Sequence, residues 1–170
     1  MQETSQEYIQ RMLGNLGARK PLTIQASTPK KLGRLIARAS AAKLRKKPAP
    51  GKWSAAEILA HLADSEIVTG WRMRQILAAP GTPIQAFDQD AWAAAGHYDK
   101  RDARKSLEQF RVARQGNLAL LKSLTPEQWK HHGLHAERGV ETIEHIAHMM
   151  AGHDLNHTAQ VERIVAARKS

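Results

Sequence analysis

Four stretches of this chain place apolar residues three and four positions apart, which is the spacing of an amphipathic α-helix. No stretch shows the sustained alternation of apolar and polar residues that is typical of a half-buried strand. We therefore expect an all-α fold, a four-helix bundle with one long connection between the second and third helices. The chain of 170 residues, 42% of them hydrophobic, is long enough to bury the core of a single domain that covers residues 1–170.

Capping residues and helix breakers predict where the four helices begin and end. Ser54 and Glu57 form the capping-box pattern that starts the second helix. Pro29 is predicted at the first position of the first helix, where a proline is tolerated, after a short helix at about 8–16. The expected limits of the four long helices are about 28–44, 54–79, 103–123 and 142–167.

The connection between the second and third helices covers residues 80–101 and contains Phe87, Trp92 and Tyr98 without a regular period. Long ordered connections of this size are often functional, commonly as lids or pocket walls. Between the third and last helices, the segment HHGLHAERG is expected to be a loop. Its histidines are expected to be solvated: His131, His132 and His135.

The formal net charge of +10 raises the question of an anionic partner, because Lys and Arg bind phosphate groups. Much of the excess lies on the polar face of the first helix and in the loop after it, at Lys30, Lys31, Arg34, Arg38, Lys43, Arg45, Lys46, Lys47 and Lys52. That stretch contains no aromatic residue that could stack on a base, so a solvated basic face is the favoured interpretation. An anionic substrate or a nucleic acid is the alternative, and we expect no nucleic-acid partner.

The chain contains no cysteine, so any metal site must use His, Asp or Glu as ligands. The N-terminal segment is polar, and no run approaches the roughly eighteen apolar residues of a membrane span. We therefore expect a soluble, cytoplasmic protein without a membrane partner. A glycine-rich phosphate loop, an HExxH motif and a G-x-S-x-G motif are all absent from the sequence, so hydrolysis or transfer would be metal-centred.

Three histidines fall on the apolar faces of predicted helices. His153 and His157 lie four residues apart on the last helix, and His61 lies on the second. A single histidine in such a place is more often a satisfied core residue than a ligand. Together, however, the three supply the protein ligands that catalytic zinc sites use. We therefore predict that they bind a divalent metal ion and leave a coordination position open for water or substrate.

This chain resembles the DinB-like, or YfiT-like, superfamily of metal-binding four-helix bundles in two segments, WSAAEILAHLADSE and TIEHIAHMMAGHDLNHTAQVERI. The resemblance covers nearly the whole chain and implies the metal-ligand role for His61, His153 and His157. It implies zinc or nickel as the metal, and metal-dependent hydrolysis or transfer of a low-molecular-weight thiol, such as bacillithiol or mycothiol, as the activity. Because dimerisation is common in similar proteins, it also implies a homodimer.

Three polar residues are predicted next to the metal ligands. Gln160 lies one turn beyond His157, and Asp64 and Ser65 lie one turn beyond His61, so each could orient a ligand or a bound water. The alternative is that Asp64 is a polar surface residue and Gln160 an amide at the edge of the core.

Helix geometry excludes two acidic residues from the predicted site. Asp154 follows His153 in the sequence but points about 100° away from it on a helix, so it is not expected to be the general base. Glu66 lies too far around the second helix from His61 to contribute a ligand.

Three functions remain open from the sequence, of which nucleic-acid binding through the basic face is the least favoured. The first is a metal-dependent hydrolase or thiol S-transferase that acts on a small molecule. Arg72, three turns beyond His61 on the same face, would lie at the mouth of a pocket and favour an anionic substrate. The second is a non-catalytic metal-binding or small-molecule-binding protein of a stress response, in which a fourth protein ligand would close a structural metal site.

Overall fold

The computed structural model describes residues 3–167, which form eight α-helices, a short 3-10 turn and three short strands. The helices are α1 Ser5–Leu16, α2 Pro21–Ile36, α3 Ala41–Arg45, α4 Ala55–Ala78, α5 Gln89–Ala95, α6 Ala103–Ser123, α7 Pro126–Lys130 and α8 Ile143–Ala166. The strands are β1 Pro83–Ile84, β2 His132–His135 and β3 Gly139–Thr142, and the 3-10 turn is Tyr98–Lys100. Across residues 3–167, no helix combines the length and the apolar character that crossing a membrane requires.

The four longest helices, α2, α4, α6 and α8, form a bundle. Helix α2 packs against α6 and α8, and α4 packs against the same two helices, so each helix has two neighbours around a shared core. Helix α1 packs along α8 as an additional element. The expected four-helix bundle is confirmed, and its long connection joins α4 to α6 as predicted.

The predicted start of the second long helix is confirmed. The Ser54 hydroxyl accepts a hydrogen bond from the backbone N–H of Glu57, and the Glu57 carboxylate accepts one from the backbone N–H of Ser54. This reciprocal pair satisfies N–H groups that the first turn of a helix leaves without partners. Thr125 and Gln128 start α7 in the same way, and Thr142 caps α8. Side-chain capping therefore fixes where the helix that carries His61 begins.

The predicted limits of the first long helix are wrong. The helix expected at 28–44 begins at Pro21, and Pro29 lies inside it rather than at its first position. A proline lacks the N–H that would bond to the carbonyl four residues earlier, which here is the carbonyl of Gln25. That carbonyl accepts a hydrogen bond from Nη1 of Arg114, 3.0 Å away. A side chain from α6 therefore replaces the missing helical bond, and the local sequence does not reveal this.

A small β-sheet is the second difference between the structure and the fold expected from the sequence. Strands β2 and β3 pair as an antiparallel hairpin, and β1 pairs in parallel with β2. Each strand has at most four residues, which is too short for alternation to be recognised in the sequence. Gly139, after the hairpin turn, has a φ of 76°, a conformation that glycine adopts without steric cost. The segment expected to be a loop is thus a hairpin, and His135, expected to be solvated, is only 4% exposed.

The core consists of two apolar clusters with a layer of buried polar residues between them along the long helices. The first cluster contains Leu32, Ile36, Leu44, Ala55, Ala56, Ile58, Leu59, Leu62, Ala63, Ala103, Phe110 and Val161. The second contains Met73, Ile76, Ile84, Leu121, Ile143, Ile146 and Ala147. The polar layer contains Gln25, Thr28, Glu66, Arg114, Asn117 and Asp154. On α8, His153 and His157 also lie between the two apolar clusters, whereas His61 on α4 lies among residues of the first cluster.

Gly152 allows α1 to lie directly against α8. A Cβ atom on Gly152 would lie 1.9 Å from the backbone oxygen of Met12, far inside van der Waals contact. Helix α1 carries Tyr8 and Arg11, and both side chains line a cavity beside His157. Glycine at this position therefore places the side chains of α1 next to the predicted ligands.

The substitution Gly152→Ala is expected to lower the free energy of unfolding by about 1–3 kcal/mol, because the added methyl group must push α1 away from α8. Gly116→Ala is the matched control, because no atom lies within 4 Å of the corresponding Cβ position. It should raise stability by up to about 1 kcal/mol, since alanine is favoured over glycine inside a helix. Denaturant unfolding followed by circular dichroism measures both values. Equal stability of the two variants would contradict the close approach of α1.

Candidate metal centre

The structure brings together the three histidines that were predicted as ligands. His61 comes from α4, and His153 and His157 come from successive turns of α8. One ring nitrogen from each residue lies within 4.8 Å of the other two. The Nε2 atoms of His61 and His153 are 2.9 Å apart, and the rings of His153 and His157 have centroids 4.3 Å apart. The three imidazoles therefore converge on one point between two helices.

Burial keeps these imidazoles neutral. Desolvation lowers the pKa of His61 and of His153 well below the usual value, and the neighbouring rings of the cluster lower it further. Desolvation also lowers the pKa of His157 to about 4, against the opposing effect of the hydrogen bond that His157 donates to Gln160. Neutral rings at neutral pH keep a nitrogen lone pair available, which is the form that binds a metal ion.

Hydrogen bonds show which ring nitrogens face the cluster. Nδ1 of His157 lies 2.8 Å from Oε1 of Gln160, so it carries a proton that it donates to the amide oxygen, and Nε2 keeps its lone pair. Nδ1 of His61 and Nδ1 of His153 have no hydrogen-bond partner among residues 3–167, whereas their Nε2 atoms face each other. Ser65 Oγ lies 3.4 Å from Nε2 of His61. Gln160 and Ser65 are thus placed beside the cluster, at the positions predicted for them.

Asp64 does not reach the histidines. Its carboxylate accepts a hydrogen bond of 2.7 Å from the hydroxyl of Tyr98 and two of 3.0 Å from Nη1 of Arg101. The prediction that Asp64 orients a ligand or a bound water is therefore corrected. One turn of helix brings this carboxylate to the side of α4 that faces the 3-10 turn, and its partners hold it there.

Aromatic rings form the wall of the cluster next to His61. The ring of Trp53 lies 4.9 Å from the imidazole between centroids, and the ring of Phe87 stacks on it at 6.2 Å with an interplanar angle of 5°. Phe87 belongs to the long connection after α4, and Trp92 of the same connection packs edge-on against it at 4.9 Å. The expectation that this connection acts as a pocket wall is confirmed.

Two cavities adjoin the histidine cluster. The larger one, about 670 Å³, is lined by His61 and His153, and the smaller one, about 510 Å³, is lined by His157. Both are also bordered by Tyr8, Gln89 and Asp90. Each cavity therefore offers a small molecule space next to the cluster. Arg72, predicted at a pocket mouth, lies in the wall of the larger cavity and is 9% exposed.

A buried ionic cluster that the sequence did not predict lies beside the histidines. Arg114 donates to both carboxylate oxygens of Asp154, at 2.5 and 2.9 Å, and to Oε1 of Glu66 at 2.8 Å. Asn117 donates to the other oxygen of Glu66 at 3.0 Å. None of these four side chains is more than 5% exposed. Arg114 of α6 thus links Glu66 of α4 to Asp154 of α8, the residue next to His153. This ionic cluster therefore connects the two helices that carry the predicted ligands.

One signal could have revealed this ionic cluster. Arg114 follows Phe110 by four residues and precedes Leu118 by four, so it lies on the apolar stripe of α6. A charged residue in such a stripe must be paired to be stable. Its two acidic partners were recognised only as residues that point away from the predicted ligands.

The donor set fits a divalent ion such as zinc or nickel. Neutral imidazole nitrogen is a ligand that both metals accept. Within residues 3–167, the group of converging His, Asp and Glu ligand atoms has three members and no fourth. Three protein ligands with adjoining cavities are typical of a site that keeps a position open, whereas structural zinc sites have four protein ligands.

Comparison with known proteins identifies the family. Residues 26–161 match the model of the DinB superfamily. The chain therefore belongs to the DinB superfamily, as its two sequence segments indicated. It is 25% identical to YfiT of Bacillus subtilis (strain 168) over 115 residues, which are 67% of this chain and 65% of YfiT. The matched part thus spans somewhat less than two thirds of that relative.

The fold is also similar to a solved structure. YfiT from Bacillus subtilis, described as a probable metal-dependent hydrolase with an unusual four-helix bundle topology, aligns with a TM-score of 0.78 at 21% sequence identity. The alignment covers 96% of this chain and 88% of that one. This likeness confirms the four-helix bundle fold.

Proposed function

We propose that this protein is a metal-dependent hydrolase of a small molecule, with a divalent ion held by His61, His153 and His157. The observation that carries this proposal is the convergence of three buried, neutral imidazoles that line two cavities. When bound, zinc or nickel would supply Lewis acidity, and three neutral ligands would leave its positive charge undiminished. Membership of the DinB superfamily, and the description of YfiT as a probable metal-dependent hydrolase, support the same activity.

The residues around the cluster would prepare it for hydrolysis. The hydrogen bond to Gln160 fixes the orientation and the protonation of His157. Trp53 and Phe87 cover His61 with apolar surface, which lowers the local dielectric constant and strengthens electrostatic interactions at the site. In hydrolysis, water adds across an ester or amide bond, its oxygen bonding to the carbonyl carbon and its proton leaving with the departing alcohol or amine.

A screen of chromogenic esters and amides tests this activity. We expect zinc-loaded protein to hydrolyse at least one of them, a chelator to abolish the reaction and added zinc to restore it. The variant with alanine at His61, His153 and His157 should react at the blank rate. His148→Ala is the control, because His148 lies on the same helix but contacts the backbone oxygen of Glu144. Equal rates for the wild type and the three-alanine variant would contradict the proposal.

Thiol transfer is the second candidate, and the pair of cavities favours it. Two cavities that meet at one cluster could hold two reactants, a low-molecular-weight thiol and an electrophile. In this reaction, sulfur forms a bond to an electrophilic carbon, and the leaving group departs with the thiol proton. Assays with monochlorobimane and bacillithiol or mycothiol distinguish the two functions, since transfer requires the thiol and hydrolysis does not. Stoichiometric zinc without turnover in either assay would favour a binding protein instead.

A further inference from the structure

The larger cavity contains a second group of polar side chains, well separated from the histidine cluster along α4. Arg72 follows His61 by eleven residues, or about 16 Å of helix rise. The β2–β3 hairpin contributes His135, Arg138 and Glu141 to the same cavity. These four residues take no part in the proposed metal site.

Arg72 has more hydrogen-bond donors than the protein uses. Its side chain is 9% exposed, and its Nη2 atom donates to the backbone oxygen of Gln85 at 2.5 Å. A guanidinium group carries five N–H donors. In the part of the chain from residue 3 to 167, Arg72 forms no ion pair with a carboxylate. No carboxylate of those residues therefore pairs directly with this largely buried cation, and the charge of Glu141 acts on it only from a greater distance.

His135 lines the same cavity and contains a buried ring nitrogen without a hydrogen-bond partner among residues 3–167. Its Nδ1 atom accepts a hydrogen bond of 3.2 Å from the backbone N–H of Glu137, so the ring proton lies on Nε2. That Nε2 atom is buried and has no hydrogen-bond partner among residues 3–167. A buried N–H group without a partner costs free energy, which a ligand that accepts the hydrogen bond would recover.

The charges of this group leave one positive charge unbalanced. Arg138 pairs with Glu141 at 2.8 Å, and Glu141 is 2% exposed. The pair leaves Arg72 as the surplus cation. Burial lowers the pKa of Arg72, the charge of Arg138 lowers it further, and the charge of Glu141 opposes both effects. The other carboxylates of the cavity are exposed and screened by solvent: Glu3, Asp88, Asp90 and Glu137.

We propose that Arg72 and His135, with Arg138 beside them, form a subsite that binds the carboxylate group of a small monoanionic substrate. One surplus positive charge matches one carboxylate, whereas the buried Glu141 carboxylate would repel a doubly charged phosphate. The cavity wall also contains apolar side chains, those of Val68, Ile146, Met149 and Met150. The ligand is therefore a carboxylic acid with an apolar middle segment. Only its placement as a substrate, with the reacting bond near the histidines, rests on the proposed hydrolase function.

Binding of three matched probes to the metal-free protein tests the subsite. The probes are hexanoate, hexanamide and hexyl phosphate, and the signal is the NMR shift of the Arg72 Nε–H group in protein with ¹⁵N-labelled arginine. We expect hexanoate to shift this signal and to bind about tenfold more tightly than hexanamide. Hexyl phosphate should bind more weakly than hexanoate. Tighter binding of hexyl phosphate, or equal binding of hexanoate and hexanamide, would overturn the carboxylate assignment.

Variants separate this subsite from a merely structural role of Arg72. Arg72→Gln keeps an amide that can donate to the Gln85 carbonyl, and it should abolish the preference for hexanoate over hexanamide. Arg72→Lys should retain part of the preference, because it keeps the charge but loses the fork of donors. Lys31→Gln removes the same charge from an exposed position on α2 and should leave the preference unchanged. An unchanged preference in Arg72→Gln would contradict the subsite.

The metal proposal and the subsite can fail independently. Replacing His61 with alanine should remove zinc but leave the preference for hexanoate, whereas Arg72→Gln should leave zinc stoichiometry unchanged. The opposite result would be that His61→Ala loses the preference for hexanoate over hexanamide while Arg72→Gln keeps it. That result would place the bound carboxylate at the histidines and overturn the subsite. Absence of zinc from the wild type, with the Arg72-dependent preference intact, would contradict the metal site alone.

Discussion

Replacing Arg114 with methionine is expected to lower the free energy of unfolding by about 3–5 kcal/mol, because it leaves two buried carboxylates without their cation. Arg114 is 1% exposed, and it binds Asp154 through two hydrogen bonds and Glu66 through a third. It also donates to the Gln25 carbonyl inside the bundle. Urea unfolding followed by circular dichroism measures the loss.

The matched control is Arg111→Met on the same helix. Arg111 pairs with Glu108 on the surface, at 2.5 Å, and both side chains are exposed. Exposed ion pairs contribute little, so this variant should unfold almost as the wild type does. Similar stabilities of Arg114→Met and Arg111→Met would show that the buried ionic cluster does not hold the bundle together.

The decrease in the free energy of unfolding caused by Arg114→Met should also depend on pH. Burial already raises the pKa of Asp154, and the guanidinium group of Arg114 acts in the opposite direction. Without Arg114, the buried carboxyl of Asp154 in the folded state should take up a proton more readily than it does in the unfolded chain. Folding then binds protons, so the variant should gain stability as pH falls from about 8 to about 5. A larger loss at the lower pH would contradict this explanation.

The sequence predicted the elements whose signals are local. The capping box at Ser54 and Glu57 depends on residues three positions apart, and the structure contains it as predicted. The spacing of His153 and His157 is also local, and it placed both imidazoles on one side of α8. Sequence alone could therefore predict the bundle and the convergence of three histidines, including His61.

The sequence failed where a distant residue decides the local structure. Pro29 was predicted to begin a helix, but it lies inside α2 because Arg114, far along the chain, bonds to the Gln25 carbonyl. Asp64 was predicted beside the ligands, but Arg101, at the end of the long connection, holds its carboxylate elsewhere. Such contacts carry no periodic signal. They follow from packing between helices, which a single sequence does not display.

The burial of His135 in the larger cavity also depends on residues that are distant in the chain. The segment that contains it is polar and rich in histidine, which is typical of an exposed loop. Pairing of β2 with β1 and β3 buries His135 against the larger cavity instead. The pairing of β1 with β2 joins segments that are distant in the chain, and β1 has two residues.

Alanine in place of His61, His153 or His157 is expected to lower zinc affinity about 100-fold or more. Each substitution removes one of three ligands and leaves too few imidazoles to replace the hydration shell of the ion. Competition with a chromophoric zinc chelator measures the affinity of each variant. His148→Ala, on the same helix as two of the ligands, should bind zinc as the wild type does, because its ring contacts the Glu144 backbone.

Zinc content after equilibrium dialysis, measured by plasma mass spectrometry, tests the metal site most directly. Each metal-free protein is dialysed against micromolar zinc, and bound zinc is counted per chain. The wild type and His148→Ala should each retain one zinc ion per chain, and each of the three ligand variants should retain almost none. Stoichiometric zinc in His61→Ala and His157→Ala, or no zinc in the wild type, would contradict a site formed by these three histidines.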